Sequence, residues 1–329
     1  MVRVRNEAWI LPAFLSATSL WADVIIVANH GSEDNSRAIA VSFPKVRVLE
    51  YTSREYNEAG MRSMLLDAAR EIPGPRVLVA LDADEFLSGE FFDELKGWLG
   101  EGLPPGTVIG FPRVVLLPGL RQAVRESGPI FMLYSDANAS FDGWPIHGPR
   151  VPLPDEKIPR RLAQKTVLLH FSHANPARNE SKSRWYQCLE RLRYPRKRAS
   201  AIFRLYYGAN RDITSGAREE APDSWFDPYL IRGVDLRSIN TDGGPWWWDR
   251  RVLEWFNEYG EQRFATLDIW DADWNAIAKE HGITPRRGRF ADPRGAFAKF
   301  MHRWLRNSLD NPKRFDRILL RGLVRPFGW

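Results

Sequence analysis

One cysteine, Cys188, stands in 329 residues. That excludes an internal disulfide and fits a reducing compartment. No apolar run approaches the ~18 residues of a membrane span. The opening alternation of Val2, Arg3, Val4 and Arg5 reads as a strand rather than a signal peptide, so a cytoplasmic location is expected. Neither of the first two strand-like runs is followed by a Gly-rich dinucleotide fingerprint, and there is no Walker lysine loop. Both absences count against dinucleotide enzymes and P-loop NTPases. Internal repeats and low-complexity tracts are missing as well. The net charge of +6 is concentrated at one end: residues 286–329 carry 12 Lys/Arg against 3 Asp/Glu, which leaves the first 285 residues near −3. An evenly basic nucleic-acid binder is thereby excluded, and no nucleic-acid partner is expected. With 44% apolar and 27% charged residues, the chain has the composition of a soluble globular protein with a sizeable core.

What is present centres on Val77-Leu78-Val79-Ala80-Leu81-Asp82-Ala83-Asp84-Glu85-Phe86. A continuous Val/Leu run suits a strand buried on both faces of an α/β sheet. The acids at its C-terminal end then fall where open α/β sheets place their ligands. If the strand continues through the acids, Asp82 and Asp84 share one face. Two like charges so placed repel, and a divalent cation between them offsets the repulsion. Hard carboxylate oxygens select Mg²⁺ or Mn²⁺. A polar strand end whose acids merely cap the next helix would show the same letters.

Around this stretch, strands are expected at 2–5, 23–28 and 46–51, with helices near 9–20, 37–42 and 61–69. In the last of these, Met61, Met64, Leu65, Ala68 and Ala69 form one helical face. Alternating strands and helices over about 90 residues predict a mostly parallel sheet with crossover helices. Further strands are expected at 107–117, 130–134 and 166–171. A polar, Gly/Pro-rich stretch over 135–159 is too long for a simple connection. From 179 to 207 the chain turns helical, basic and aromatic. Tryptophans crowd 225–274, including Trp246, Trp247 and Trp248, and a basic amphipathic helix is expected within 297–323.

Three features occur in order: a first strand ending in Arg5-Asn6-Glu7, a Val-Ile-Ile-Val strand followed by Gly31-Ser32-x-Asp34-x-Ser36, and Leu81-Asp82-Ala83-Asp84-Glu85. Together they resemble the nucleotide-sugar-binding half of the family 2 glycosyltransferases, which have the GT-A fold. The likeness covers roughly residues 2–90. It extends to His170 in Leu168-Leu169-His170-Phe171 and to Ser183-Arg184-Trp185-Tyr186-Gln187. The resemblance implies a GT-A (Rossmann-like) α/β domain over 1–175, divided into a nucleotide-sugar half (1–90) and an acceptor half (91–175), with a helical, aromatic C-terminal extension over 176–329. Asn6, Glu7 and Asn29 would hold the uracil and ribose of a nucleoside-diphosphate sugar, UDP-sugar being favoured. Asn29 stands where the family usually carries an aspartate, and an amide offers a base edge a different donor pattern. Asp82 would reach the ribose or metal, Asp84 the Mn²⁺ or Mg²⁺, and His170 would be a further ligand, with His173 a lesser candidate. Arg184 and Trp185 match an element that supports acceptor or diphosphate. Ser181 replaces the glutamine of its processive form, so processive polymerisation is not expected. Arg62, at the start of its helix, is a candidate for a phosphate.

Inverting transfer requires a base for the acceptor hydroxyl. Asp142, flanked by Phe141 and Trp144, leads the candidates, followed by His147 and Asp136. The acceptor, whether a glycan, a lipid-linked molecule or a small molecule, is not written in these residues. Successive residues of a helix diverge by about 100°, so the three tryptophans do not make one sugar platform. The basic tail suits peripheral contact with an anionic membrane surface or a solvated helix. The competing functions are a non-catalytic carbohydrate- or membrane-binding protein and a nucleotidyltransferase. The latter would normally place a basic Gly-rich loop where Arg5-Asn6-Glu7 stands.

Overall fold

A computed structural model describes residues 1–53, 55–153 and 160–310. The basic tail beyond 310 lies outside these residues. The chain forms two compact units, one of residues 1–175 with 217–241 and one of 176–216 with 242 onward. The first unit runs unbroken to 175, and a later segment, 217–241, returns to it.

The first unit is built on a four-stranded, wholly parallel sheet. Its strands are β1 (Val2–Val4), β2 (Ile25–Asn29), β3 (Val46–Glu50) and a two-residue strand, Leu81–Asp82, in the order β3-β2-β1-(Leu81–Asp82). Helices Leu11–Ser19, Ser36–Val41 and Glu58–Arg70 make the crossovers. All five residues of β2 are buried, as a Val/Ile run flanked on both sides requires. The alternation of β-strands separates two cores. Val2, Val4, Ile25, Val27 and Leu81 join the core on one face, and Ile26 and Ala28 join Leu65, Leu66, Ala68 and Ala69 of the Glu58–Arg70 helix on the other. The chain winds outward from β1 to β3 and then returns to the far side of β1. The strand order therefore reverses beside β1, and its C-terminal edge is the topological switch point.

The central stretch is not one strand, which corrects the expectation from its apolar run. Val77–Val79 (β4) pairs antiparallel with β8 (Gln122–Ser135) of a second sheet, and Leu81–Asp82 (β5) pairs parallel with β1. Ala80 N–H donates to Met132 O and Leu81 N–H to Met1 O, so the chain changes sheets between adjacent residues. A turn at Ala83 and Asp84 follows, and Glu85–Leu87 (β6) rejoins the second sheet. Asp82 and Asp84 are thus not alternate residues of one strand. Backbone hydrogen bonds available from both sheets decided this, and an apolar run carries no trace of which partner each residue will choose.

The second sheet is mixed. Its order is β11 (Arg218–Glu220), β8, β7 (Val108–Leu116), β10 (Leu168–His170), β6, with β4 added on β8 and β9 (Arg160–Leu162) on β7. Segment 217–241 is packed tightly against the end of β6. Tyr229 is 1% exposed and donates its hydroxyl to Leu87 O at 2.7 Å, and Gly89 N–H donates to Trp225 O at 3.0 Å.

The second unit is helical. Trp185 of the Pro176–Arg193 helix packs against Tyr186, Trp247 and Trp255, and Phe256 lies among Phe264, Trp270, Trp274 and Phe290. Trp246 stands just before the Trp247–Tyr259 helix, and Trp248 lies buried beneath Arg178. The Ala296–Asp310 helix buries Met301 and Leu305 against Ala199 and Phe203, while Phe297 and Phe300 are exposed. Among the described residues, no helix is long and apolar enough to cross a membrane.

Candidate functional site at the switch point

Register explains why charges meet at this edge. Arg3 of β1 lies directly beside Asp82 of β5, on the face that the Glu58–Arg70 helix covers. Glu58 and Arg62 belong to the buried side of that helix. Arg3 Nη2 donates to Asp82 Oδ1 at 2.7 Å, and its Nη1 lies 3.2 Å from Glu58 Oε1. Arg62 Nη2 stands 3.7 Å from the same Asp82 oxygen, and Arg150 Nη2 donates to Asp82 Oδ2 at 3.3 Å. Arg150 also pairs through both terminal nitrogens with Glu85, which is fully buried and accepts Asp82 N–H at 2.9 Å. Three guanidiniums therefore surround one carboxylate. Desolvation opposes the charge on Asp82, but Arg3, Arg150 and Arg62 outweigh it and hold the carboxyl well below the usual range. Burial, reinforced by Arg3, lowers Arg62 to about 10, and the Glu85 and Asp82 charges overcome burial to raise Arg150.

The long polar loop docks on this cluster. Glu58 N–H donates to Pro145 O at 2.9 Å, and His147 N–H donates to Glu58 Oε2 at 3.1 Å. His147 has a left-handed backbone (φ 59°). Arg150 closes the same loop over Asp82 and Glu85. Of the candidate bases, His147 is exposed and brought to the cluster by its backbone, and Asp142 is exposed. The Asp136 carboxylate is wholly enclosed, bonded by Arg70 and Arg76 and pulled below its usual pKa, against its burial, by those two arginines and Asn138 N–H.

Asp84 is 2% exposed. His170 faces it from β10, with Nε2 3.7 Å from Asp84 Oδ1, while Ser172 Oγ lies 3.3 Å from His170 Nδ1 and 3.0 Å from His173 Nδ1. The two groups are too far apart to be hydrogen-bonded to one another, and a partner on Nδ1 fixes the ring so that Nε2 points at the carboxylate. The carboxylate suits Mn²⁺ or Mg²⁺, whereas the imidazole is a ligand that Mn²⁺ accepts more readily than the oxygen-preferring Mg²⁺. Among the described residues there is no group of three His, Cys, Asp or Glu side chains spaced to hold a metal, and Asp82 is turned to the arginines.

The loop residues expected near the nucleotide are bonded to each other. Asn6, at φ 54°, accepts Glu33 N–H at 2.7 Å and Asp34 N–H at 3.3 Å on Oδ1. Ser32, Asp34 and Ser36 accept the backbone N–H groups of Asn6, Ala8 and Glu7. The Gly31–Ser36 element is therefore a clamp that shapes the loop after β1. Glu7 accepts Trp9 Nε1 at 2.7 Å. Asn29 donates to Glu50 at 2.7 Å and accepts Ser32 N–H at 3.3 Å. In the second unit, Arg184 makes a bidentate pair with Asp249 at 2.9 and 2.6 Å, and Trp185 is buried.

Arg3, Glu58, Glu85 and Arg150 were not among the sequence candidates. Glu85 stood in the acidic tip, and Arg3 interrupts Val2 and Val4 at a position flanked by buried residues, which is a usable signal. Nothing near Arg150 marks it, since its partners lie more than sixty residues away.

No protein-family model matches the chain, and no curated protein matches it. Solved structures that resemble it in part include a mycobacterial protein (TM-score 0.26, 19% identity, 34% of this chain and 40% of that one). Another is glucosyl-3-phosphoglycerate synthase from Mycobacterium tuberculosis in complex with phosphoglyceric acid (TM-score 0.25, 20% identity, 35% and 42%). A third is S. aureus TarS 1–349 (TM-score 0.34, 12% identity, 58% and 64%). The matched stretch spans less than two thirds of each of these chains.

Proposed function

We propose that the first unit is a metal-dependent glycosyltransferase of GT-A type, which takes a sugar from a nucleoside-diphosphate donor, UDP-sugar favoured, to an acceptor hydroxyl. The observation that carries this reading is the Asp84–His170 pair, 3.7 Å apart, beside an arginine-lined carboxylate at the switch point of a parallel sheet. Asp84 and His170 would hold Mn²⁺ or Mg²⁺, whose chemistry there is to offset charge on the departing diphosphate. Arg3, Arg62 and Arg150 line the same edge. The acceptor oxygen forms its bond to the anomeric carbon as the bond to the diphosphate oxygen breaks, with inversion. The hydroxyl proton passes to a base on the docked loop, where Asp142 and His147 are both exposed. Asp136, enclosed by two arginines, is the weakest of the three candidates.

A thermal-shift panel tests the donor class: UDP, dTDP, GDP and CDP, each with Mn²⁺, Mg²⁺ or EDTA. A ligand that binds only the folded state raises its apparent stability. One diphosphate should stabilise the protein, and by a larger shift with metal than in EDTA. Absence of any metal-dependent shift across the panel would refute the reading.

A further inference from the structure

Arg62 is an anomaly inside the cluster. Its side chain is 6% exposed, yet it donates no hydrogen bond among the described residues, and its Nε is buried without a partner. Its one ion pair among the described residues is the 3.7 Å approach to Asp82 Oδ1, longer than a hydrogen bond. A buried Nε–H left in this condition is costly, because it has given up water and gained no acceptor. Arg3 and Arg150, each 11% exposed, turn to the same carboxylate. Asp82 itself is the most open member of the group at 28%. The cage therefore opens to solvent on the side where the carboxylate sits, and its guanidiniums form the enclosed walls.

Carboxylate and phosphate oxygens are interchangeable partners for guanidinium, and planar forks of this kind suit either. We propose that Arg3, Arg62 and Arg150 are the seat of the donor's diphosphate, and that Asp82 fills this seat as an internal stand-in until phosphate displaces it. The inference rests on the nucleoside-diphosphate donor proposed above and deepens it. Glu58 pairs with Arg3 and Glu85 with Arg150, and Asp82 supplies the remaining negative charge among the three enclosed cations, which an uncharged residue would not do. When a phosphoryl group enters, it supplies the oxygens Arg62 lacks and releases Asp82 toward solvent. Arg150 comes from the docked loop, so the same exchange tells that loop whether donor is present. No covalent change is involved.

The stand-in role reverses the effect ordinarily expected of losing an acid from a metal-and-nucleotide site. The probe is inorganic pyrophosphate in EDTA, with its binding to the 329-residue chain followed by calorimetry. Asp82→Asn should bind pyrophosphate at least about tenfold more tightly than wild type, because the competing charge is gone. Arg62→Gln should bind about tenfold more weakly, with Arg62→Lys between the two. Unchanged or weaker pyrophosphate binding by Asp82→Asn would overturn the proposal. If that variant does not fold, arginine side-chain NMR of the wild type decides: pyrophosphate must perturb the Arg62 guanidinium signal, and a spectrum in which it stays put is equally fatal. Tight, Arg62-dependent pyrophosphate binding without binding of any nucleoside diphosphate would keep the seat and discard the donor reading. Metal-dependent nucleotide binding that Asp82→Asn leaves unchanged or weakens would do the reverse.

Discussion

His170 Nε2 lies 3.7 Å from Asp84 Oδ1, brought there by an antiparallel pairing in which His170 is in register with Glu85. The pair is preset by backbone: Phe171 N–H donates to Asp84 O at 2.9 Å, which pins the turn that carries the carboxylate. His170→Ala should therefore weaken metal-dependent nucleotide binding without unfolding the sheet. The expected loss is about tenfold to a hundredfold in apparent metal affinity, read by titrating Mn²⁺ at fixed UDP. An unchanged midpoint would remove His170 from the site.

Arg150 is the bolt between the loop and the acidic tip. Removing one member of a buried pair leaves the other charge uncompensated, and Glu85 is fully buried. Arg150→Ala should cost about 3 kcal/mol of unfolding free energy in denaturant titration. Adding Glu85→Gln to it should recover part of that loss. If the double variant is no more stable than the single one, the ion pair is not what holds the loop.

Gly89 has no room for a side chain. A Cβ there would lie 2.4 Å from Pro228 Cγ and 2.6 Å from Ser224 O, and neither the proline ring nor the backbone yields easily. Gly89→Ala should destabilise the first unit by about 2 kcal/mol. Equal stability would show that segment 217–241 does not pack against β6 as described.

Acid should weaken the fold through His30. The ring is 3% exposed, its Nε2 is 2.9 Å from Ser53 O, and burial, then the charge of Arg5, lower its pKa from the ordinary 6.5. In the folded protein His30 stays neutral where the unfolded chain has already taken a proton. Stability is then complete above about 6.5 and declines as pH falls below it. Denaturation curves at about pH 7 and about pH 5 should differ less for His30→Gln than for wild type. Identical pH slopes would exclude His30 as the cause. Buried His302 is shifted in the same direction and supplies part of the remaining slope.

Local physics made much of this protein readable from its residues. The Ile25–Asn29 strand, the Glu58–Arg70 helix and strands near 108–116 and 168–170 follow from apolar runs and helical spacing, and the parallel sheet follows from their alternation. The acidic tip was legible as a cluster, but its geometry was not. The sheet change at Ala80 is decided by which neighbour accepts its N–H. The Arg3–Asp82 register and the Arg150–Glu85 pair join residues far apart in the chain, where local pattern carries no information. Ser32, Asp34 and Ser36 illustrate the converse, since their letters suit a ligand loop and their side chains cap the backbone of the loop after β1.

The most direct test of the central claim is electron paramagnetic resonance of Mn²⁺ titrated into the protein with and without UDP, for wild type, Asp84→Ala and His170→Ala. Free Mn²⁺ signal should fall in wild type far more with UDP than UDP alone explains, and both variants should lose most of that extra binding. Equal Mn²⁺–UDP binding by wild type and Asp84→Ala would contradict the account, and the edge of the parallel sheet would then be an ion-paired strand end with no donor site.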